Sequence, residues 1–338
     1  MNKTYFVTLT PYQLYFFGRE QEVVADYYLK GNPLPQQTAL LGMVRYQILK
    51  QNDFLYHNNL IPKKKDEACK WIGCGSFQYD KNLEFGKILS LSPCHLVKID
   101  NDDTKKYLPT YPEFFHDLKK IGDNYFLPFY DPKKDYALRW RNTKNQNDIL
   151  EDNFYEEVER VGVNKNYKGK TEEDSFYKQV WFKMKKGYAF GFYLTLSDDK
   201  VTFQDADVNL GKENTIFHMK VMEEDLPEEI YHPEDNAVVL TCDAFIDPKS
   251  IDDCSFAVCD NVPFRNLCNT TDPTHNHYGL NKSSKRIQLL KRGSVFIPNG
   301  SVFIPNNNMN KFINALKNET NFRNIGYNVF QTFKLNIL

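Results

Sequence analysis

The sequence predicts an α+β protein of about two domains. Three observations carry that prediction. Strand-like and helix-like stretches are interspersed along the 338 residues. Few of them read as regular strand–helix–strand crossovers. The length is about twice that of an average domain. Hydrophobic residues at 41% and charged residues at 26% place the chain with globular proteins, because there is enough apolar surface to offset the entropy lost on ordering.

The elements follow in order. Tyr5 to Thr10 is β-branched and aromatic and stops at Pro11, so it reads as a first strand. A long loop with Tyr15-Phe16-Phe17-Gly18-Arg19 comes next. After Pro33 and Pro35 the spacing turns helical: Leu40, Leu41, Val44 and Ile48 share one face, and Arg45 and Gln47 point elsewhere. Gly42 in that helix costs about 1 kcal/mol relative to alanine. A close approach is expected to offset the cost, either by a packed strand or by a ligand backbone. Trp71 to Ile99 is β-like and punctuated by glycine. Phe176–Met184 and Tyr188–Leu196 alternate on either side of Lys185-Lys186-Gly187, the clearest hairpin in the chain. Asn164 to Asp174, polar and aperiodic, reads as a mobile loop. Strands are expected near Ile216–Val221, Ala237–Phe245 and Tyr327–Lys334, and a short helix on Met309, Phe312, Ile313 and Leu316. Gly293–Asn299 recurs at once as Gly300–Asn306, which suits two short strands joined by a turn rather than a solenoid.

Charge and motifs restrict function. With 43 basic and 44 acidic residues the net charge is −1, whereas a free nucleic-acid binder shows a basic excess because phosphate neutralisation supplies its affinity. A solitary RNA or DNA binder is therefore disfavoured; a subunit with a local basic strip is not. The 7 cysteines contain no Cys-x-x-Cys, and Cys69/Cys74 and Cys254/Cys259 have no nearby histidine pair, so reduced, partly buried thiols are expected. Phosphate-loop, dinucleotide, zincin and nucleophile-elbow motifs are missing. Asp100–Asp103 cannot start a calcium loop, since position 105 is lysine where glycine is required. No metal or cofactor is expected. His275 and His277 lie in a Thr/Asn/Asp/Pro-rich loop and read as an exposed turn. Lys63-Lys64-Lys65 reads as an exposed loop offset by Asp66 and Glu67. The start of the chain has no signal-like apolar region, and no apolar run reaches the roughly 18 residues needed to span a bilayer; a cytoplasmic protein without membrane contact is expected.

Several segments together resemble the RAMP superfamily of CRISPR proteins, and within it the third subunit of the Cmr module of type III-B systems. The resemblance starts at Tyr5–Thr10, Pro11 and Phe16-Phe17-Gly18-Arg19, and continues through Pro33 to Arg45, with the helix glycine and arginine in place. It extends over Ile72-Gly73 with Ser76-Phe77, Val161-Gly162-Val163, Phe176-Tyr177-Lys178-Gln179, Leu210-Gly211-Lys212-Glu213 and the repeated Gly-Ser-Val-Phe. The ordered set is specific where each piece is weak. Two departures stand out: the glycine-rich C-terminal loop is reduced to Gly326-Tyr327-Asn328, and the Gly-Ser-Val-Phe segment is doubled. The resemblance implies two ferredoxin-like (RRM-related) domains with long insertions, residues 1–200 and 201–338. It implies a non-catalytic antiviral subunit that caps the 5′ handle of the CRISPR RNA and touches the large polymerase/cyclase-type subunit and the backbone RAMP subunit, with target RNA met indirectly.

A single-stranded handle needs phosphate contacts for position and base contacts or stacking for identity. Gln36, Gln37 and Thr38 can present donors beside the free N–H groups of a helix start, with Arg45 two turns on; the alternative is a plain cap and a surface arginine. Phe16, Phe17 and Arg19 can offer a stacking surface, or the phenylalanines can be core. Arg160, Lys165, Lys168 and Lys170 flank the loop that in the family presses on the guide–target duplex, and Lys178 lies in a matched stretch beside it. Lys285, Arg286, Lys291 and Arg292 lead into Gly293 and Ser294, where glycine lets an RNA backbone lie close or simply makes a turn. An endoribonuclease that processes the CRISPR precursor, with His or Tyr as general base, is the enzymatic alternative.

Overall fold

The computed structural model describes residues 2–337 apart from 19–27, 76, 78–82, 101–102, 135, 152, 166–167, 169, 199, 229–231, 233, 265–286 and 300–310, and for 163–165, 171–177, 263 and 287 the main chain alone. Its first part runs β1 (Lys3–Pro11), β2 (Tyr28–Lys30), α1 (Gln37–Gln51), α2 (Lys65–Ile72), β3 (Ile88–Leu91), β4 (His95–Asp100), β5 (Asp103–Thr110), β6 (Arg139–Asn142), β7 (Ile149–Leu150), β8 (Tyr155–Lys165), β9 (Thr171–Met184), β10 (Tyr188–Leu196), β11 (Ala206–Asn209) and β12 (Ile216–Glu223). Antiparallel pairing gives a large sheet in the order β7-β6-β5-β4-β10-β1-β12-β11, with β3 also on β10. Alternation along β1 and β10 sends Val7, Leu9, Phe190, Phe192 and Leu194 to one face. There they meet Leu40, Leu41, Val44 and Ile48 of α1 in the main core. Phe6, Val97, Ala189 and Tyr193 form a small cluster on the other face.

The second part runs β13 (Ala237–Leu240), β14 (Cys254–Val258), β15 (Val295–Pro298), α3 (Lys311–Asn318), α4 (Thr320–Asn324) and β16 (Phe330–Phe333). Its sheet has the order β14-β15-β13-β16, antiparallel throughout. Phe312, Ile313 and Leu316 of α3 cover the face that carries Val238, Leu240 and Phe296. Tyr111, Phe115 and Leu118, from the segment after β5, cover the opposite face at Ala237, Val239, Val295 and Ile297. An insertion of the first part thus closes the second sheet. The strand order also recurs. Numbering β1, β4, β10 and β12 in sequence gives second-third-first-fourth across the first sheet, and β13 to β16 give the same order across the second.

The mixed α/β class and the expected first strand, first helix and late strands are present. Other expectations need correction. The apparent hairpin of residues 176–196 is two strands in different sheets: β9 pairs with β8 and, in parallel, with β2, whereas β10 pairs with β1, β3 and β4. The turn itself forms, Tyr188 N–H donating to Lys185 O at 3.3 Å, but alternation specifies a strand and not its partner. Asn164–Lys165 and Thr171–Asp174 are strand rather than loop: they belong to the arm β8–β9, with Lys165 still opposite Thr171; a main-chain ladder needs no apolar alternation where it leaves the core. Trp71 and Ile72 end a helix rather than start a strand, and Lys63–Lys65 passes from a 3₁₀ turn into α2. Residues 206–223 belong to the first sheet, so the division between the halves falls beyond residue 223, not at 200. Arg19, Lys285, Arg286, His275, His277 and the second copy of the repeat lie outside the described residues. No helix among the described residues is long and apolar enough to cross a membrane.

Candidate nucleic-acid interface

The start of α1 is a seam between the two sheets. Gln36 occupies the N-cap position without a side-chain cap bond. Gln37 is buried, and its Nε2 donates to Ser92 O and Ile325 O, both at 2.8 Å. Gly326 sits against it at φ +87°, where a Cβ would fall 2.0 Å from that nitrogen. Tyr327 is buried beside this contact, and burial raises its hydroxyl pKa. Arg292 gives Asp243 three bonds: N and Nε to Oδ1 at 3.0 Å and Nη2 to Oδ2 at 2.9 Å. Burial alone would push Asp243 up, but the guanidinium outweighs it and holds the carboxyl below its ordinary value.

These positions correct the sequence reading. The polar groups of Gln37 and Arg292 are bonded inside the protein. Gly293 has φ +82°, and a Cβ there would lie 2.9 Å from Leu138 Cδ1, so the turn and a neighbouring side chain explain the glycine. Ser294 is buried, with Oγ donating to Lys291 O at 2.6 Å. Lys291 is half exposed and pairs with Asp260 at 3.3 Å. Phe17 is core: its ring lies 6.0 Å from Phe217, stacked, and 5.2 Å from Tyr15, so it has no free face for a base.

What stays at the surface gathers around α1 and the base of the arm. Gly42 is exposed, and nothing lies within 4 Å of a Cβ built on it. Among the described residues no packed strand offsets its helix cost. One turn on, Arg45 Nη1 donates to Gly75 O at 2.9 Å, and its guanidinium sits 5.7 Å from the Phe85 ring; burial lowers its pKa. On the arm, the Arg160 guanidinium lies 4.5 Å over Trp181 and 3.9 Å from Glu213. Trp181 packs on Phe16 at 5.5 Å, and Lys212 N–H donates to Phe16 O at 2.9 Å. Lys178 pairs with Glu159 at 3.6 Å and Lys30 with Glu157 at 2.7 Å; Lys168 is exposed near the tip. The short run from β2 to α1, tied by Tyr15 Oη to Pro33 O at 3.2 Å, joins the arm to the helix. The dispersed segments Phe16–Phe17, Pro33–Arg45, Val161–Val163, Phe176–Gln179 and Leu210–Glu213 therefore converge on one region.

Two polar clusters had no sequence signal, because their members are far apart in the chain. Tyr12 Oη donates to Asp207 Oδ1 at 2.9 Å, and the same oxygen faces His218 Nδ1 at 3.3 Å, on an exposed sheet face. On the same side of the sheet Lys106 donates to Tyr193 Oη at 2.9 Å and pairs with Glu224. His95 beside them is buried, with Nδ1 2.9 Å from Pro93 O. Burial, and then the charge of Lys106, bring its pKa down to about 4.

The overall path of the chain is similar to that of chains in solved structures. A chain in the cryo-EM structure of the Type III-B Cmr-beta bound to cognate target RNA and AMPPnP superposes with a TM-score of 0.51 at 12% identity, over 96% of this chain and 95% of that one. A chain in the structure of the Type III-B Cmr-beta bound to cognate target RNA gives 0.49 at 12% identity, over 98% and 99%. No curated protein matches. The molecule thus shares the overall two-sheet fold of the first of these chains. Residues 7–334 match the family model of the CRISPR-associated protein Cas_Cmr3, and the chain belongs to that family.

Proposed function

We propose that the protein is a non-catalytic subunit of a type III-B effector that holds the 5′ handle of the CRISPR RNA, docks the large polymerase/cyclase-type subunit and contacts the backbone RAMP subunit. Gly42 is the observation that carries this reading. A glycine inside a helix costs about 1 kcal/mol relative to alanine, nothing in the described protein occupies the space above it, and Arg45 lies one turn away. A ligand backbone at that spot accounts for both residues. Arg160 on the arm supplies a second cation, oriented by Trp181. Each half is a ferredoxin-like unit short of one helix. The second-third-first-fourth strand order supports this, with α1 after the first strand of one half and α3 and α4 before the last strand of the other. The second sheet does not read RNA through its open face, as an RRM does, because Tyr111, Phe115 and Leu118 fill it.

The test is handle retention in the assembled complex, with CRISPR RNA recovered and quantified across a salt titration. Arg45→Ala and Arg160→Ala each weaken retention by about 1–3 kcal/mol; retention unchanged in both would refute the assignment. The enzymatic alternative draws support from Tyr12, Asp207 and His218, where a carboxylate orients an imidazole. Incubation of the purified protein with labelled repeat RNA separates the two. Metal-independent cleavage at one position, abolished by His218→Ala, would favour the enzyme; intact RNA favours the grip.

A further inference from the structure

The exposed side of α1 continues past Gly42 into a surface that the handle reading does not use. Gly42, Tyr46 and Lys50 are spaced four apart and all face solvent. At the end of the helix a small hairpin, Leu55–Tyr56 against Asn59–Leu60, stands on Phe54. Phe54 is buried against Leu49, Ala68 and Trp71, its ring 5.1 Å from that of Trp71. Tyr46 Oη donates to Asn58 Oδ1 at 2.9 Å and anchors the hairpin to the helix. His57 and Asn58 take φ of 46° and 63°, the left-handed values of a tight hairpin turn. The result is a rigid mount for a bare ring: Tyr56 is 70% exposed, in edge contact with His57 at 4.3 Å.

Some cations elsewhere on the protein are already engaged. Lys30, Arg160, Lys178 and Lys291 each face a carboxylate already. Lys50, Lys63 and Lys65 are exposed and pair with no carboxylate among the described residues. Asp66 and Glu67, which offset the lysines on paper, stand in the first turn of α2, where they complement the N-terminal end of that helix. A phosphate arriving here breaks no ion pair. Rigid exposed rings beside unpaired lysines are the surface chemistry of sequence-tolerant single-strand binding, stacking for the bases and charge for the backbone.

We infer that the outer stripe of α1 and the Leu55–Leu60 hairpin form a second contact for single-stranded RNA, in which Tyr56 and His57 stack bases and Lys50, Lys63 and Lys65 hold phosphates. This rests on the reading of the protein as an RNA-holding subunit, but it concerns different residues from Arg45 and Arg160. The full chain is titrated into a fluorescein-labelled oligouridylate of about a dozen nucleotides and anisotropy is followed at low and at physiological salt. Tyr56→Ala weakens binding at least about five-fold, and Lys63→Glu with Lys65→Glu weakens it and flattens the salt dependence. Both variants keep the wild-type melting temperature, since the altered side chains are exposed. Wild-type affinity in both variants, or no binding of the oligouridylate by the wild-type chain, overturns the inference while handle retention in the complex still tests Arg45 and Arg160. Normal RNA binding with loss of a partner chain from the co-expressed complex would make the hairpin a protein-docking surface and overturn it as well.

Discussion

The Arg292–Asp243 pair shows how burial reassigns a residue. In the sequence Arg292 belongs to a basic cluster beside a glycine; in the fold its side chain is 11% exposed and bonded to an equally enclosed carboxylate. Arg292→Ala leaves Asp243 buried and unpaired and lowers stability by about 3–5 kcal/mol, measurable by urea denaturation. Asp243 has a depressed pKa in the folded state, so its contribution is present above the ordinary carboxylate range and disappears as pH falls through the folded value. His95 acts over a different range. Its folded pKa is about 4 against 6.5, so the unfolded chain takes up the proton first and stability declines as pH drops between those values. His95→Asn keeps a donor for Pro93 O and flattens that decline in denaturation curves collected across the range. Phe17→Ala costs about 3–5 kcal/mol as a core deletion, and the loss shows in the melt of the RNA-free protein, which a stacking residue would not produce.

At the scale of elements, α1 does two jobs with two ends. Its start is locked to the second half through Gln37, while Gly42, Tyr46 and Lys50 face outward. Gly42→Ala has room for its methyl group and raises the stability of the isolated protein by up to about 1 kcal/mol; in the complex it weakens handle retention if an RNA backbone lies close. A higher melting temperature with unchanged retention would remove the argument from this glycine. The spacing of Leu40, Leu41, Val44 and Ile48 made the helix legible, as alternation did for β1 and β10. The same alternation misled at residues 176–196, because residues 179–182 of β9 and most of β10 are buried and a sharp turn between them is compatible with one sheet or with two.

The two halves meet at a polar seam, where Gln37, Ser92, Gly326, Tyr327, Asp243 and Arg292 gather, as well as where Tyr111, Phe115 and Leu118 cover the second sheet. Gly326→Ala places a methyl group into Gln37 and the Ser92 main chain at a positive φ, so it loosens the junction. Limited proteolysis is expected to cut between residues 224 and 236 faster than in the wild type while each sheet resists; an unchanged digestion pattern would show that the seam adapts. Charge distribution belongs to this scale too. A chain of net charge −1 carries several of its arm cations, Lys30, Arg160 and Lys178, already paired with glutamates.

The amino-acid sequence alone determined the mixed α/β class, several strands, the first helix and the family resemblance carried by ordered motifs. Those signals are local: apolar period, turn chemistry and short segments in a set order. Tertiary structure decided which strands share a sheet, where the halves divide, and which candidate residues face solvent. Phe17, Gln37 and Arg292 resemble binding residues by type and spacing. Their partners Phe217, Ile325 and Asp243 lie far away in the chain, and only packing brings a side chain together with a neighbour that the local pattern cannot specify.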